Sequence, residues 1–374
     1  MDFTFSEEQI LLRNSVARTL ADDYGFEAWR AFTRSGEGRD PKHWRQFAEL
    51  GLMAAPLPEA YGGLGGSALD AMVIMEEFGK ALVIEPYVST VIVAGGMIAR
   101  AGSEAQKQEW LAKIAAGETM IATAFVEPPG RFDLAKVATA AKRRDASYVI
   151  HGRKAVVIGA PWADTLLVTA RTAGGEGEEA GIAVFLVDKQ AKGVSARDYP
   201  TVDGARASEI TFENVEVSSE RLIGEADGGF ALIEQAADEA IAAHAAEAVG
   251  CMKVLLDATV AYSKARSQFG QPIGKFQALQ HRMADMFVQF ELSVSAALMA
   301  TLKLGGPERR QAASAAKVQI GKAGRFIGQQ AVQIHGGMGM TDELNVGHYF
   351  KRLTMIDALY GNVDYHLKRF AGLS

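Results

Sequence analysis

Two stretches of the chain combine residue types that can hold a phosphorylated ligand. In RSQFGQPIGKFQALQH, residues 266–281, Arg266 can grip a phosphate through paired N–H donors. Phe269 offers a flat apolar face, and Gln277 carries both a donor and an acceptor. In AVQIHGGMGMTDE, residues 331–343, the Gly336-Gly337-x-Gly339 run can bring backbone N–H groups close to a pyrophosphate. Gln333 and His335 stand alongside it. A third stretch, LTMIDALYGNVDYHLKRF, is a helical pattern interrupted at Gly361-Asn362. Plainer alternatives also fit the first two. Arg266 is also a helix-ending cation beside a glycine stop, and the glycine run a helix end with a flexible turn.

Other chemistries are excluded by what is missing. There is no G-x-S-x-G, no H-E-x-x-H, no P-loop and no G-x-G-x-x-G after a strand. YGGLGGS is glycine-rich but lies among helical patterns, where it reads as a connecting turn. The seven histidines, His43, His151, His244, His281, His335, His348 and His366, make no close metal-ligand pair. They are expected mostly at the surface or as satisfied core residues, and no metal is expected. The lone Cys251 excludes a disulfide framework. A net charge of -6 without a dense basic patch argues against a nucleic-acid partner. No apolar run reaches membrane-spanning length, and MDFTFSEEQ lacks the basic-then-apolar order of a signal peptide. The cytoplasm is the expected location.

The elements that must position these residues change character twice. At 374 residues with 48% hydrophobic content, the chain is a multi-domain globular protein. Residues 1–119 read as an N-terminal helical domain whose first helix starts at Ser6-Glu7-Glu8. Ser67 with Asp70 marks a further helix start. Residues 120–225 carry short β-type runs such as TLLVTART and GIAVFLVDK, which predict a middle antiparallel β barrel or sandwich. Residues 226–374 return to helix, with Val249, Met252, Leu256 and Val260 at steps of three and four. Long, broadly apolar helices predict a four-helix bundle whose outer faces meet an oligomer partner.

Taken together and in this order, the motifs resemble those of the acyl-CoA dehydrogenase family. LPEAYGGLGG is similar to that family's helical-domain loop, and EPPGRFD to the start of its β domain. RSQFGQPIGKFQALQHRMADM and QAVQIHGGMGM are similar to its two C-terminal motifs, so the likeness covers the whole chain. The C-terminal HYFKRLTMID and YGNVDYHLKRF are most like the small subunits of heteromeric members, of the pimeloyl-CoA and steroid side-chain type.

The resemblance implies α,β-dehydrogenation of an acyl-CoA thioester, with FAD as hydride acceptor and an electron-transferring flavoprotein as electron acceptor. It implies FAD shared across a dimer, in which Arg266, Phe269, Gln277, Gln333, Gly336 and Gly337 reach over to a partner's cofactor. The positions that would hold the flavin ring depart from the family. Val126 stands where a Thr is usual, Phe132-Asp133 where a serine is usual, and Val156-Val157-Ile158 in place of W-I-T. The family's base is a Glu at the position of Tyr360, or on the first C-terminal helix at the position of Ala240. Ile241 follows where an Arg is common, and Glu239 is a neighbouring carboxylate one residue off that face. The expectation is a non-catalytic subunit that completes a shared FAD site with a homologous large subunit. The alternatives are a self-sufficient homo-oligomeric (dimeric or tetrameric) dehydrogenase with an atypical base, or a flavin monooxygenase on the same fold.

Overall fold

The structure is a computed structural model that describes residues 5–128 and 130–373. Pro129, inside the EPPGRFD motif, lies outside the described residues. The chain divides into two compact units. One comprises Met1–Ala31, Ala68–Val83 and Ile241–Ser374; the other comprises Phe32–Ser67 and Ile84–Ala240.

The second of these is built on an eight-stranded sheet. Its strands are β1 (Ile121–Ala124), β2 (Ala140–Arg144), β3 (Ser147–Ile158), β4 (Thr165–Arg171), β5 (Ile182–Asp188), β6 (Val194–Pro200), β7 (Arg206–Ser218) and β8 (Leu222–Ile223). They are ordered β6-β7-β3-β2-β4-β5-β8, with β1 paired to β4. Most pairings are antiparallel, as expected, but β1–β4 and the short β2–β4 contact are parallel. β4 and β5 are buried over nearly their whole length, which explains their unbroken apolar runs. The β3–β7 ladder slips register between Lys154 and Val157. That irregularity leaves Val156 at φ 52 and 43% exposed, an uncommon conformation for a β-branched residue.

The helical unit shows why particular residues form its elements. Ser6 caps helix Glu7–Asp23 in a reciprocal pair with Gln9, at 3.2 and 3.1 Å. Helix Ala68–Ala81 begins directly after Ser67. Helices Gln277–Lys303, Arg309–His335, Val346–Ala358 and Val363–Ala371 follow the long helix Gly229–Ala265, of which the part from Ile241 onward belongs to this unit. Small residues let these helices approach closely: Ala242, Ala300 and Ala316 form one apolar cluster. Gly328 lies against the Phe350 ring, and Gly324 against Leu353.

Helix Gln277–Lys303 is long and apolar enough to cross a membrane by length and composition, because Ala, Val, Leu and Met alternate with few charges. It packs against helix Arg309–His335 in the bundle, and core helices of globular bundles pass the same test. Phe287, Val288 and Leu292 form an exposed apolar face on it, each at least half exposed.

Helices Ala68–Ala81 and Gly229–Ala265 cross at two glycines. A Cβ on Gly79 would lie 1.9 Å from the Glu247 carbonyl oxygen, and one on Gly250 would lie 2.0 Å from the Glu76 carbonyl oxygen. Both clashes are with backbone, so the helices themselves must move to relieve them. Gly250→Ala is expected to lower unfolding stability by at least ~1–3 kcal/mol in denaturant titration. An exposed glycine without neighbours, Gly305, provides the control and changes little when substituted by Ala.

Candidate cofactor and substrate site

The corner at residues 266–277 is a two-residue hairpin between long helices. Ser267-Gln268 pairs with Gln271-Pro272, and the Ile273 N–H donates to the Arg266 carbonyl at 2.8 Å. Phe269 occupies the hairpin tip at φ 55, is 89% exposed, and meets only the Phe276 ring edge-on at 6.1 Å. Gln277 is the first residue of the next helix. Among the described residues, the side-chain polar atoms of Arg266, Gln277 and Gln333 have no hydrogen-bond or ion-pair partner. The second motif ends helix Arg309–His335 and continues as a 3-10 turn, Gly336–Met340. Gly336 sits at φ 61, and a Cβ on Gly337 would meet nothing within 4 Å. Internal crowding therefore gives no reason for glycine at 337.

Tyr262 links the two motifs, a role the sequence did not disclose. Its carbonyl accepts the Arg266 N–H, and its ring stacks on His335 with centroids 4.4 Å apart. His335 is buried, donates from Nδ1 to the Ala331 carbonyl at 2.8 Å, and is held below its ordinary pKa by burial. It braces the turn from within.

On the sheet, the resemblance-assigned ring-holding positions present apolar side chains. Val126 is 39% exposed, and its carbonyl accepts the Ala155 N–H at 2.9 Å. Beneath them, Lys154 is fully buried and donates to Glu127 at 2.6 Å and Thr169 at 2.8 Å. Burial brings Lys154 down to about 8, against the pull of Glu127. The Glu127 carboxylate also accepts the N–H groups of Ala138 and Thr139, which fixes the loop after β1.

The base positions hold no carboxylate. Ala240 is fully buried on the long helix. Glu239 is tied to Arg100 at 2.6 Å and to Gln235 at 3.1 Å, matching its reading as an ion-paired carboxylate. Tyr360 follows helix Val346–Ala358 at φ 57. The buried Lys317 ammonium closes that helix end by donating to the carbonyls of Ile356 and Leu359. Burial lowers Lys317 to about 7.

A buried charge cluster stands beside Tyr360. Arg352 donates to Glu247 at 2.5 and 2.9 Å, and His244 Nδ1 lies 2.8 Å from the same carboxylate. The His244 ring is 6.0 Å from the Tyr360 ring. Burial alone would raise Glu247, but Arg352 and His244 outweigh it and hold it at about 2. Sequence alone missed this cluster, because 105 residues separate its carboxylate from its guanidinium. Of the seven histidines, five are buried and His151 and His281 are exposed; no His/Cys/Asp/Glu group fit for a metal occurs among the described residues.

Three family models cover this architecture: the acyl-CoA dehydrogenase N-terminal domain at residues 6–118, its middle domain at 122–215 and its C-terminal domain at 227–371. The chain belongs to the acyl-CoA dehydrogenase family. A protein named probable acyl-CoA dehydrogenase YngJ, from Bacillus subtilis (strain 168), is 32% identical over 92% of each chain. The Tcur3481-Tcur3483 steroid ACAD structure matches with a TM-score of 0.88 at 28% identity, over 98% of this chain and 97% of that one. PigA with FAD and proline matches with a TM-score of 0.93 at 25% identity, over 100% and 99%. Family members are FAD-dependent oxidoreductases acting on CH–CH donors, and FAD is the cofactor expected of this acyl-CoA dehydrogenase homologue. Its residues suit that ligand: a cation and two amides without internal partners, an exposed aromatic face, and glycines open to close approach.

Glu247 makes acid stability a test of the cluster. Its folded pKa of about 2 lies below the unfolded value, so its stabilisation is complete above about pH 4.5 and lost as pH falls toward 2. Glu247→Gln is expected to be destabilised by about 3 kcal/mol at pH 7, since the largely buried Arg352 loses its charge partner. It should also lose less stability than wild type between pH 5 and 3 in urea titrations. Parallel pH curves for the two proteins would contradict the assigned pairing.

Proposed function

We propose that this chain completes a shared FAD site in a heteromeric acyl-CoA dehydrogenase, while a homologous partner supplies the carboxylate base. The observation that carries this reading is an asymmetry. The reaching-over residues Arg266, Phe269, Gln277, Gln333, Gly336 and Gly337 are present with polar heads unengaged by the chain itself. The ring-holding and base positions carry Val126, Val156, Ala240 and Tyr360. In this reading the functional segments are 1–119, 120–225 and 226–374, with the last segment contacting the partner's cofactor.

Each retained residue has a distinct task. The Arg266 guanidinium pairs with the pyrophosphate, Phe269 covers an aromatic or ribose face, and Gln277 and Gln333 hydrogen-bond the polar edges of the dinucleotide. Gly336 and Gly337 admit the ligand to backbone distance. FAD, when bound, supplies the hydride acceptor for an acyl-CoA substrate, and an electron-transferring flavoprotein reoxidises it. The exposed apolar face of Phe287, Val288 and Leu292 suits burial against another subunit in a cytoplasmic oligomer. The Tcur3481-Tcur3483 resemblance favours the two-chain form over a homo-oligomer with its own carboxylate base, for which Glu239 is already committed to Arg100.

The visible spectrum tests the proposal. The purified chain should be colourless alone and become part of a yellow complex with a homologous large subunit. Stoichiometric FAD and dehydrogenase turnover from this chain alone would overturn it. Within the complex, Arg266→Ala is expected to weaken FAD retention about 10–100-fold, the loss of one charge-assisted hydrogen-bonding group. Its melting temperature should not change, because the side chain is exposed and makes no hydrogen bond or ion pair among the described residues.

A further inference from the structure

The shared-FAD reading leaves one group in the helical unit without a task. His244 is 6% exposed, and its Nδ1 is fixed on Glu247 at 2.8 Å, three residues on along the same helix. Arg352 holds that carboxylate in turn at 2.5 and 2.9 Å, so the imidazole is oriented by a carboxylate that is itself anchored. The other ring nitrogen, Nε2, makes no hydrogen bond among the described residues. The ring faces Tyr360 at 6.0 Å, and His244 lies one helical turn beyond Ala240. A packing role would be served by any apolar residue. Burying an imidazole, a carboxylate and a guanidinium together instead makes an oriented proton acceptor of the carboxylate–histidine kind.

We propose that His244 is a proton-transfer residue of this chain, acting on a substrate with an acidified C–H bond, such as the α position of an acyl-CoA thioester. The inference goes beyond the shared-FAD reading: it gives this chain a proton exchange of its own, apart from the partner's carboxylate base, and it rests on that reading only for the substrate class. The α C–H bond breaks and an N–H bond forms at His244 Nε2. The electron pair stays on the substrate as the thioester-conjugated enolate, and the Glu247 carboxylate balances the imidazolium. Return of the proton, or of a solvent deuteron, completes an exchange that needs no oxidant. Glu247 is the positioning residue.

The groups facing the ring set its pH response. Burial holds His244 below its ordinary value; Glu247 pulls upward, while Arg352 and Lys317 from the neighbouring helices push down. The Tyr360 ring lies 6.0 Å from the imidazole. Burial thus favours the neutral imidazole, the form that can accept a proton.

Exchange of the α hydrogens of butyryl-CoA and octanoyl-CoA in D2O, followed by mass spectrometry, tests the proposal on the purified chain and on its FAD-containing complex. The wild-type chain should exchange with a pH inflection below the ordinary imidazole value. His244→Gln should slow exchange at least ~100-fold in the chain at unchanged fold, and leave the FAD content of the complex unchanged. Glu247→Gln paired with Arg352→Met, which removes both buried charges together, should slow exchange and move the inflection. In 15N-histidine spectra, the Nε2 signal of His244 should shift when either acyl-CoA is added. Wild-type protein that exchanges neither thioester, or a His244→Gln chain that exchanges at the wild-type rate, would overturn the proposal. The flavin spectrum reports separately on the shared-FAD reading, so the two can fail independently.

Discussion

A carboxylate buried to 1% exposure must be paired, and in the helical unit that requirement falls on Glu247. Its side chain ties helix Val346–Ala358 to the long helix through Arg352, and it orients His244. Its backbone carbonyl lies where only the glycine at 79 leaves room. One residue thus determines how three helices meet and where the segment leading to Tyr360 emerges. The sheet-based unit follows the same rule with Lys154 and Glu127, which secure the loop after β1 beneath Val126. Each buried pair lies near a non-glycine residue in the left-handed region, Val156 in one unit and Tyr360 in the other. Strain of this kind persists where surrounding structure over-determines it, and it concentrates at ligand sites.

The dehydrogenase family's chemistry requires three things of the protein: a grip on the dinucleotide, a polar edge around the flavin ring and a proton acceptor. This chain retains the first on a hairpin and a helix end braced by Tyr262 and His335. It presents valines where the second would be. For the third, its own base positions hold Ala240 and Tyr360, and a histidine held by a carboxylate stands beside Tyr360. A neutral imidazole oriented in this way needs no raised pKa to act near neutrality, whereas a carboxylate does.

Much of this was legible in the sequence, for identifiable reasons. Local signals worked: Ser6-Glu7-Glu8 marked a helix start, and the apolar runs TLLVTART and GIAVFLVDK marked β4 and β5. β6 was missed because the edge strand VSARDYP is polar and mostly exposed, and β2 because AAKRR has one buried residue. The parallel β1–β4 pairing depends on a contact between residues 44 apart in sequence, which no local pattern records. Arg266, Phe269 and Gln277 stood out by type and spacing. The Tyr262–His335 brace and the His244–Glu247–Arg352 cluster did not, because they form only when distant helices pack. His244 was visible only as one histidine on an apolar helix.

The shared cofactor is the central claim, and a structure of the assembled complex with FAD bound tests it most directly. The account predicts Arg266, Phe269 and Gln333 of this chain against the adenosine and pyrophosphate of an FAD whose isoalloxazine rests on the partner's sheet. An isoalloxazine resting on this chain's own Val126 and Val156, with Arg266 and Phe269 away from any dinucleotide, would contradict it.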